Sequence, residues 1–189
     1  RQLNIDILPV LGLRNGVNRQ KDTDQQLLAN LEVALKPKTK LVVLSHLLWN
    51  TGQRMSISAV AERLRNHPNN PFLLVDAAQS FGQIPTQEAA AKADIYAFTG
   101  HKWACGPEGL GGVALSERVL TEASPTLIGW RSLQHEGNAY KINADDFHLD
   151  SRRFEIATSC VPLLAGLRTS LDLMEVEGTA KERQTKIQK

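Results

Sequence analysis

Phe72-Leu73-Leu74-Val75-Asp76-Ala77-Ala78-Gln79-Ser80 and Ile95-Tyr96-Ala97-Phe98-Thr99-Gly100-His101-Lys102 are the two stretches that decide the fold. Each is a short apolar run, of the kind a fully buried strand requires, and each ends abruptly in polar side chains. Gln87–Ala93 between them reads as a helix, so the pair forms one strand–helix–strand unit. Upstream, Leu41-Val42-Val43-Leu44 repeats the buried-strand pattern. A helix starting at Ser56 or Ser58 follows it and places Ile57, Val60, Ala61 and Leu64 on one face. Asn66 to Pro71 is a loop by its turn residues. Further upstream, Asp24 is placed to cap a helix that buries Leu27, Leu28, Leu31 and Leu35. Leu3 to Val10 reads as a strand. Downstream, Gly111-Gly112-Val113-Ala114-Leu115 reads as a strand returning beside the Ile95 run, Glu136 to Asp150 as a polar, exposed excursion, and Ala165 to Glu175 as a helix.

This alternation predicts an α/β chain, a three-layer α/β/α arrangement around a mostly parallel sheet covered on both faces. In such sheets ligands gather beyond the carboxyl ends of the strands. Asp76 and Thr99 stand at two of those ends.

Composition removes several functional classes. The 189 residues carry 22 Lys and Arg against 20 Asp and Glu, a net charge of +2, which gives no electrostatic reason to bind nucleic acid. Two cysteines are too few for a disulfide-built secreted scaffold. No apolar run reaches the length of a membrane span, and the opening residues lack a signal-peptide pattern. A cytoplasmic location is the expectation. The sequence opens without Met, directly in strand-like residues, and stops in charged helical sequence, so we expect a piece of a longer protein.

The chemistry concentrates at the two strand ends. Asp76 reads blandly as a cap or turn-former; functionally it reads as a poorly solvated carboxylate stabilising a positive charge on a bound group. Thr99 and His101 offer donors of the kind that hold a phosphate, and Gly100 lets the backbone approach a ligand. Lys102 is a surface charge or, with its amine deprotonated, a nucleophile. An acid for a pyridinium nitrogen and an amine that forms an imine are what pyridoxal phosphate asks of its protein. No His-x-x-x-His spacing suggests a metal site, Gly106 to Gly112 lacks the spacing of a nucleotide loop, and no serine nucleophile motif occurs. Cys105 and Cys160 are expected to be packed, as free cysteines usually are.

The Asp76–Ser80 and Thr99–Lys102 segments, followed by Gly106-Pro107 with Gly109 and Gly111, resemble the class V aminotransferase group of fold-type I pyridoxal-phosphate enzymes. Arg153-Phe154-Glu155-Ile156-Ala157-Thr158-Ser159 is similar to that group's Arg-Phe-Glu-x-Gly-Thr-Pro segment, with Ala157 and Ser159 departing from it. Ser45 to Gln53, His101-Lys102-Trp103 and Ile128-Gly129-Trp130-Arg131-Ser132 look most like the cyanobacterial cysteine/cystine C–S lyases, which are cysteine desulfurase-like enzymes.

The resemblance implies that Lys102 is the internal aldimine lysine, that Asp76 pairs with the pyridinium nitrogen, and that Ala78 packs on the ring. Gln79 would hydrogen-bond the 3′-oxygen, while Thr99 and His101 would hold the phosphate. Thr158 would reach the phosphate of the neighbouring subunit of a homodimer, and Asn50 the substrate carboxylate. Trp130 and Arg131 are weaker candidates for the pocket wall. The implied reaction is β-elimination from L-cystine or L-cysteine to pyruvate, ammonia and a persulfide or sulfide. The alternatives are a desulfurase making alanine and a protein persulfide for a sulfur acceptor, as in iron–sulfur cluster assembly, or a cofactor-binding piece unable to turn over. On this reading residues 1–189 are the central part of the cofactor-binding large domain, without its N-terminal segment and small C-terminal domain.

Overall fold

Three parallel strands and one reversed neighbour organise the chain. The computed structural model describes residues 3–10, 19–135 and 146–187. In chain order the elements are α1 (Arg19–Ala34), β1 (Leu41–Ser45), α2 (Ile57–Arg65), β2 (Phe72–Asp76), α3 (Gln87–Lys92) and β3 (Ile95–Thr99). Then come β4 (Gly111–Leu115), α4 (Glu117–Glu122), two single 3₁₀ turns at Trp130–Ser132 and Ser151–Phe154, α5 (Val161–Val176) and α6 (Ala180–Ile187). The sheet order is β1-β2-β3-β4; the first two pairings are parallel and β3–β4 is antiparallel.

Alternation along the strands separates the two faces. Leu44 pairs with Val75, which pairs with Tyr96, and all three turn toward the helices. There they meet Leu27 and Leu31 of α1 and Ile57, Val60, Ala61 and Leu64 of α2, the four α2 positions that the periodicity selects. Asp76, Ala97 and Thr99 share the opposite face. That face is only partly covered among the described residues: Leu41, Val43 and Val113 stay about half exposed. Arg118 of α4 closes one corner, its guanidinium 3.8 Å above the Phe72 ring and hydrogen-bonded to the Asn70 carbonyl at 2.5 Å.

Several local expectations change. Leu3 to Val10 forms no strand: no ladder partner lies beside it, and Leu3, Ile5 and Ile7 are each more than four-fifths exposed. Side chains hold it instead: Asn30 donates to the Pro9 carbonyl at 2.6 Å, and Leu8 and Val10 pack against the core. The helix α1 begins five residues before Asp24, which therefore lies inside it rather than capping it. Ser56 precedes α2 without a side-chain capping bond. Part of the expected polar excursion, residues 136–145, lies outside the described residues. Its end does not stray: Phe147 bridges to Leu133, and Gln134 donates to the Phe147 carbonyl at 2.6 Å.

Leu64 lies at the centre of the packed face, 2% exposed. Leu64→Ala is expected to cost about 2–5 kcal/mol by transfer and cavity terms, read as a lowered midpoint in urea unfolding.

Candidate cofactor site

The site begins with how β2 ends. The His46 amide donates to the Asp76 carbonyl at 2.9 Å, and the Ala77 amide donates to the Ala97 carbonyl at 2.7 Å. The chain then turns through Ala77–Ser80, with the Ala78 amide donating to the Asp76 carboxylate at 2.9 Å. The carboxylate thus forms its own turn while remaining exposed. The expectation of a poorly solvated Asp76 is corrected: it sits on the rim of the sheet's open face, where water reaches it.

Beneath this turn lies a buried polar trio that the sequence reading did not find. Tyr96 Oη is 2.8 Å from His46 Nδ1 and 3.1 Å from Ser80 Oγ, and Ser80 donates on to the Ala77 carbonyl at 3.3 Å. With the serine proton committed to that carbonyl, the chain runs from His46 N–H to Tyr96 to Ser80. Ser80 is fully buried and His46 and Tyr96 nearly so. The residues are scattered over β1's end, the turn and β3, so no spacing rule could have joined them. Burial holds the His46 imidazole down to about 4, with the Arg54 charge adding to the effect. Burial raises the Tyr96 phenol, so both members of the pair are neutral near pH 7.

The lysine arrives on the next strand end. Thr99 Oγ1 is buried and makes no hydrogen bond among the described residues. His101 and Lys102 follow it and are both exposed. What approaches Gly100 is Leu167 of α5: a Cβ there would lie 3.1 Å from its Cδ1, and one at Gly106 only 2.5 Å away. The seating of α5 therefore requires small residues at both positions. Ser170 of the same helix donates to the Cys105 carbonyl at 2.7 Å.

Two contacts join the turns. Trp103 Nε1 donates to Gln79 Oε1 at 2.9 Å. Gly82 has φ of +86°, and a Cβ on it would lie 2.4 Å from the Trp103 carbonyl oxygen. The Asp76 and Lys102 turns are therefore in backbone contact as well as hydrogen-bonded. Asp76, Ala78, Gln79, Thr99, His101 and Lys102 lie on adjoining segments of one sheet edge.

Asn50 is exposed in the turn after β1, which leaves the same edge beside Asp76. Thr158 is exposed between the second 3₁₀ turn and α5, with no hydrogen bond to the others. Trp130 and Arg131 line an open cavity of about 300 Å³ with Leu133, His148, Arg152 and Glu155, away from the joined turns. Both cysteines are exposed, against expectation. Cys105 sits in the tight return after the lysine with φ of +55°, and Cys160 precedes the first residue of α5, where neither thiol has a core to enter. Among the described residues no helix is long and apolar enough to cross a membrane, and no group of His, Cys, Asp and Glu could hold a metal ion.

Comparison with known proteins fits this edge. The aminotransferase class-V family model matches residues 15–189, and the chain belongs to that family, one of pyridoxal-phosphate enzymes. It is 39% identical to the cystine C–S lyase C-DES in complex with its product cysteine persulfide, with a TM-score of 0.76 over 94% of this chain and 44% of that one. A lysine-to-alanine mutant of C-DES, with glycine linked covalently to its PLP cofactor, is 41% identical over 83% of this chain and 40% of that one, at a TM-score of 0.72. A probable cysteine desulfurase of Mycolicibacterium paratuberculosis is 30% identical over 85% of this chain, which spans 22% of that relative.

Acid should loosen this end of the sheet. An unfolded histidine takes up its proton near pH 6.5, whereas His46 resists protonation down to about 4. Unfolding therefore binds a proton in that window, and stability falls as pH drops through it, by on the order of 3 kcal/mol, levelling below. His46→Gln cannot take up the proton, so its unfolding midpoint should vary less between pH 7 and pH 4 than that of the unsubstituted chain. Gly82→Ala should lower the thermal midpoint at every pH, because its Cβ meets the Trp103 carbonyl at a backbone angle side chains rarely adopt.

Proposed function

We propose that this chain is the central part of the cofactor-binding large domain of a pyridoxal-phosphate-dependent C–S lyase. Its substrate is L-cystine or L-cysteine, cleaved by β-elimination to pyruvate, ammonia and a persulfide or sulfide. The observation that carries this reading is the joining of the Asp76 and Lys102 turns through Trp103, Gln79 and Gly82. It sets an exposed acid and an exposed amine on one edge, with an unpartnered buried hydroxyl at Thr99 beside them. The residues present fit the cofactor: the acid suits a pyridinium, the amine an aldehyde, and the orphan hydroxyl a phosphate. Similarity near 40% to C-DES favours the lyase.

When bound, pyridoxal phosphate supplies an electron sink for a carbanion formed on the substrate. In the proposed arrangement the Asp76 carboxylate would hold the proton on the ring nitrogen, and the Ala78 methyl would pack on the ring. Gln79 would donate to the 3′-oxygen, and Thr99 and His101 to the phosphate. Lys102 would hold the cofactor through Nζ and, once the substrate's own amine has released it as a free amine, would take the α-proton at that atom. Asn50 binds the substrate carboxylate, and Thr158 serves the phosphate of a second subunit. The β-carbon–sulfur bond breaks with its electron pair on sulfur, which leaves as cysteine persulfide when cystine is the substrate. Water hydrolyses the remaining three-carbon fragment to pyruvate and ammonia.

A desulfurase is the second reading, favoured by the curated relatives: the probable cysteine desulfurase of Methanothermobacter thermautotrophicus is 30% identical over 76% of this chain, which spans 34% of that relative. Product analysis separates the two, since a desulfurase yields alanine and passes sulfur to a protein thiol. Pyruvate is the expected product from the full-length protein, and alanine in its place would refute the lyase. For the chain itself, added pyridoxal phosphate should give a visible absorbance, and borohydride should label Lys102. Lys102→Ala should abolish that absorbance with the fold retained; a label on another lysine would overturn the assignment.

A further inference from the structure

Trp103 is half exposed, and its indole N–H has a protein partner. That N–H lies 2.9 Å from Gln79 Oε1. An indole nitrogen only donates, so the amide atom facing it must be the oxygen. The carboxamide is thereby fixed with its NH₂ end turned away from Trp103, and that end makes no hydrogen bond among the described residues. The Trp103 backbone is set close to the Gln79 turn, where a Cβ on Gly82 would lie 2.4 Å from its carbonyl oxygen. The orientation of Gln79 is therefore decided by the residue next to Lys102.

We propose that Trp103 is a positioning residue: by holding the Gln79 oxygen, it presents the amide N–H to the anionic 3′-oxygen of the bound cofactor and so sets the pH at which that cofactor loses its proton. This rests on the cofactor reading above. With the amide free to turn, its oxygen would at times face an oxygen anion, which repels it. With the N–H fixed inward, the anion is stabilised and the neighbouring nitrogen holds its proton less tightly. Asp76 lies on the same turn as Gln79, His101 and Lys102 lie on the turn of Trp103, and neutral His46 lies behind. Trp103→Phe leaves all of them in place and removes the donor together with part of the ring, which is why the double-variant comparison below is needed.

The test titrates the visible absorbance of protein loaded with pyridoxal phosphate across pH, together with its affinity for the cofactor. Trp103→Phe should raise the midpoint by about half to one pH unit, the scale of one neutral hydrogen bond. Gln79→Glu, which has no N–H to offer, should raise it at least as much. In the background of Gln79→Ala, Trp103→Phe should add no further shift, because it acts through that side chain. An unmoved midpoint in either single variant, or full additivity in the double, overturns the positioning role while the cofactor reading stands. Absence of any cofactor absorbance in the unsubstituted protein would overturn both. Were Trp103→Phe to lose its fold, Trp103→Leu, which keeps an apolar side chain without an N–H, would take its place with the same deciding outcomes.

Discussion

The level register of Ser45, Asp76 and Ala97 governs everything at the carboxyl edge of this sheet. The strands β1 and β2 finish side by side at Ser45 and Asp76 while β3 runs on to Thr99, so the backbone groups at the end of β2 need partners beyond the regular ladder. Here those groups are consumed locally: Asp76 accepts from His46, and Ala77 donates to Ala97. With these backbone groups paired, the Asp76 carboxylate has one local bond, from the Ala78 amide, and the Gln79 amide one, from Trp103, which leaves the rest of each side chain facing outward.

The same edge separates two electrostatic environments a few residues apart. Inside, His46, Tyr96 and Ser80 form an uncharged relay in which each hydrogen-bonds the next, consistent with the cost of burying a charge. Outside, Asp76, His101 and Lys102 stand in water. The interior relay backs the turn, and the ionisable groups stand on its solvent side. Placing the ionisable residues on the solvent side lets the edge carry an acid and an amine together without a buried ion pair.

Much of the fold could be read in the sequence because it rests on periodicity. The four buried positions of α2, the apolar runs of the strands and the reversed β4 are all properties of neighbouring residues. The candidate cofactor residues could be picked out because strand ends and polar punctuation coincide at Asp76 and Thr99. Unread features depend on distant pairs: His46 with Tyr96, Trp103 with Gln79, and the approach of Leu167 to Gly100. Solvent exposure failed for a related reason. Asp76, Cys105 and Cys160 were expected to be shielded, yet exposure is set by what covers the sheet, and the apolar runs do not encode that. The strand-like Leu3–Val10 shows the same limit, since alternation signals a strand only where a partner exists.

The reversal from β3 to β4 carries a consequence for how the chain tolerates insertions and deletions. Gly112 lies directly under the Phe98 ring, where a Cβ would sit only 2.5 Å from it. Shortening the lysine-bearing link by one residue, with the path of the loop kept, would slip the register, draw Val113 into that place and turn every following side chain to the wrong face. The link's length is thus locked by packing at its far end, which makes it a poor location for loop grafting or tag insertion despite its exposure.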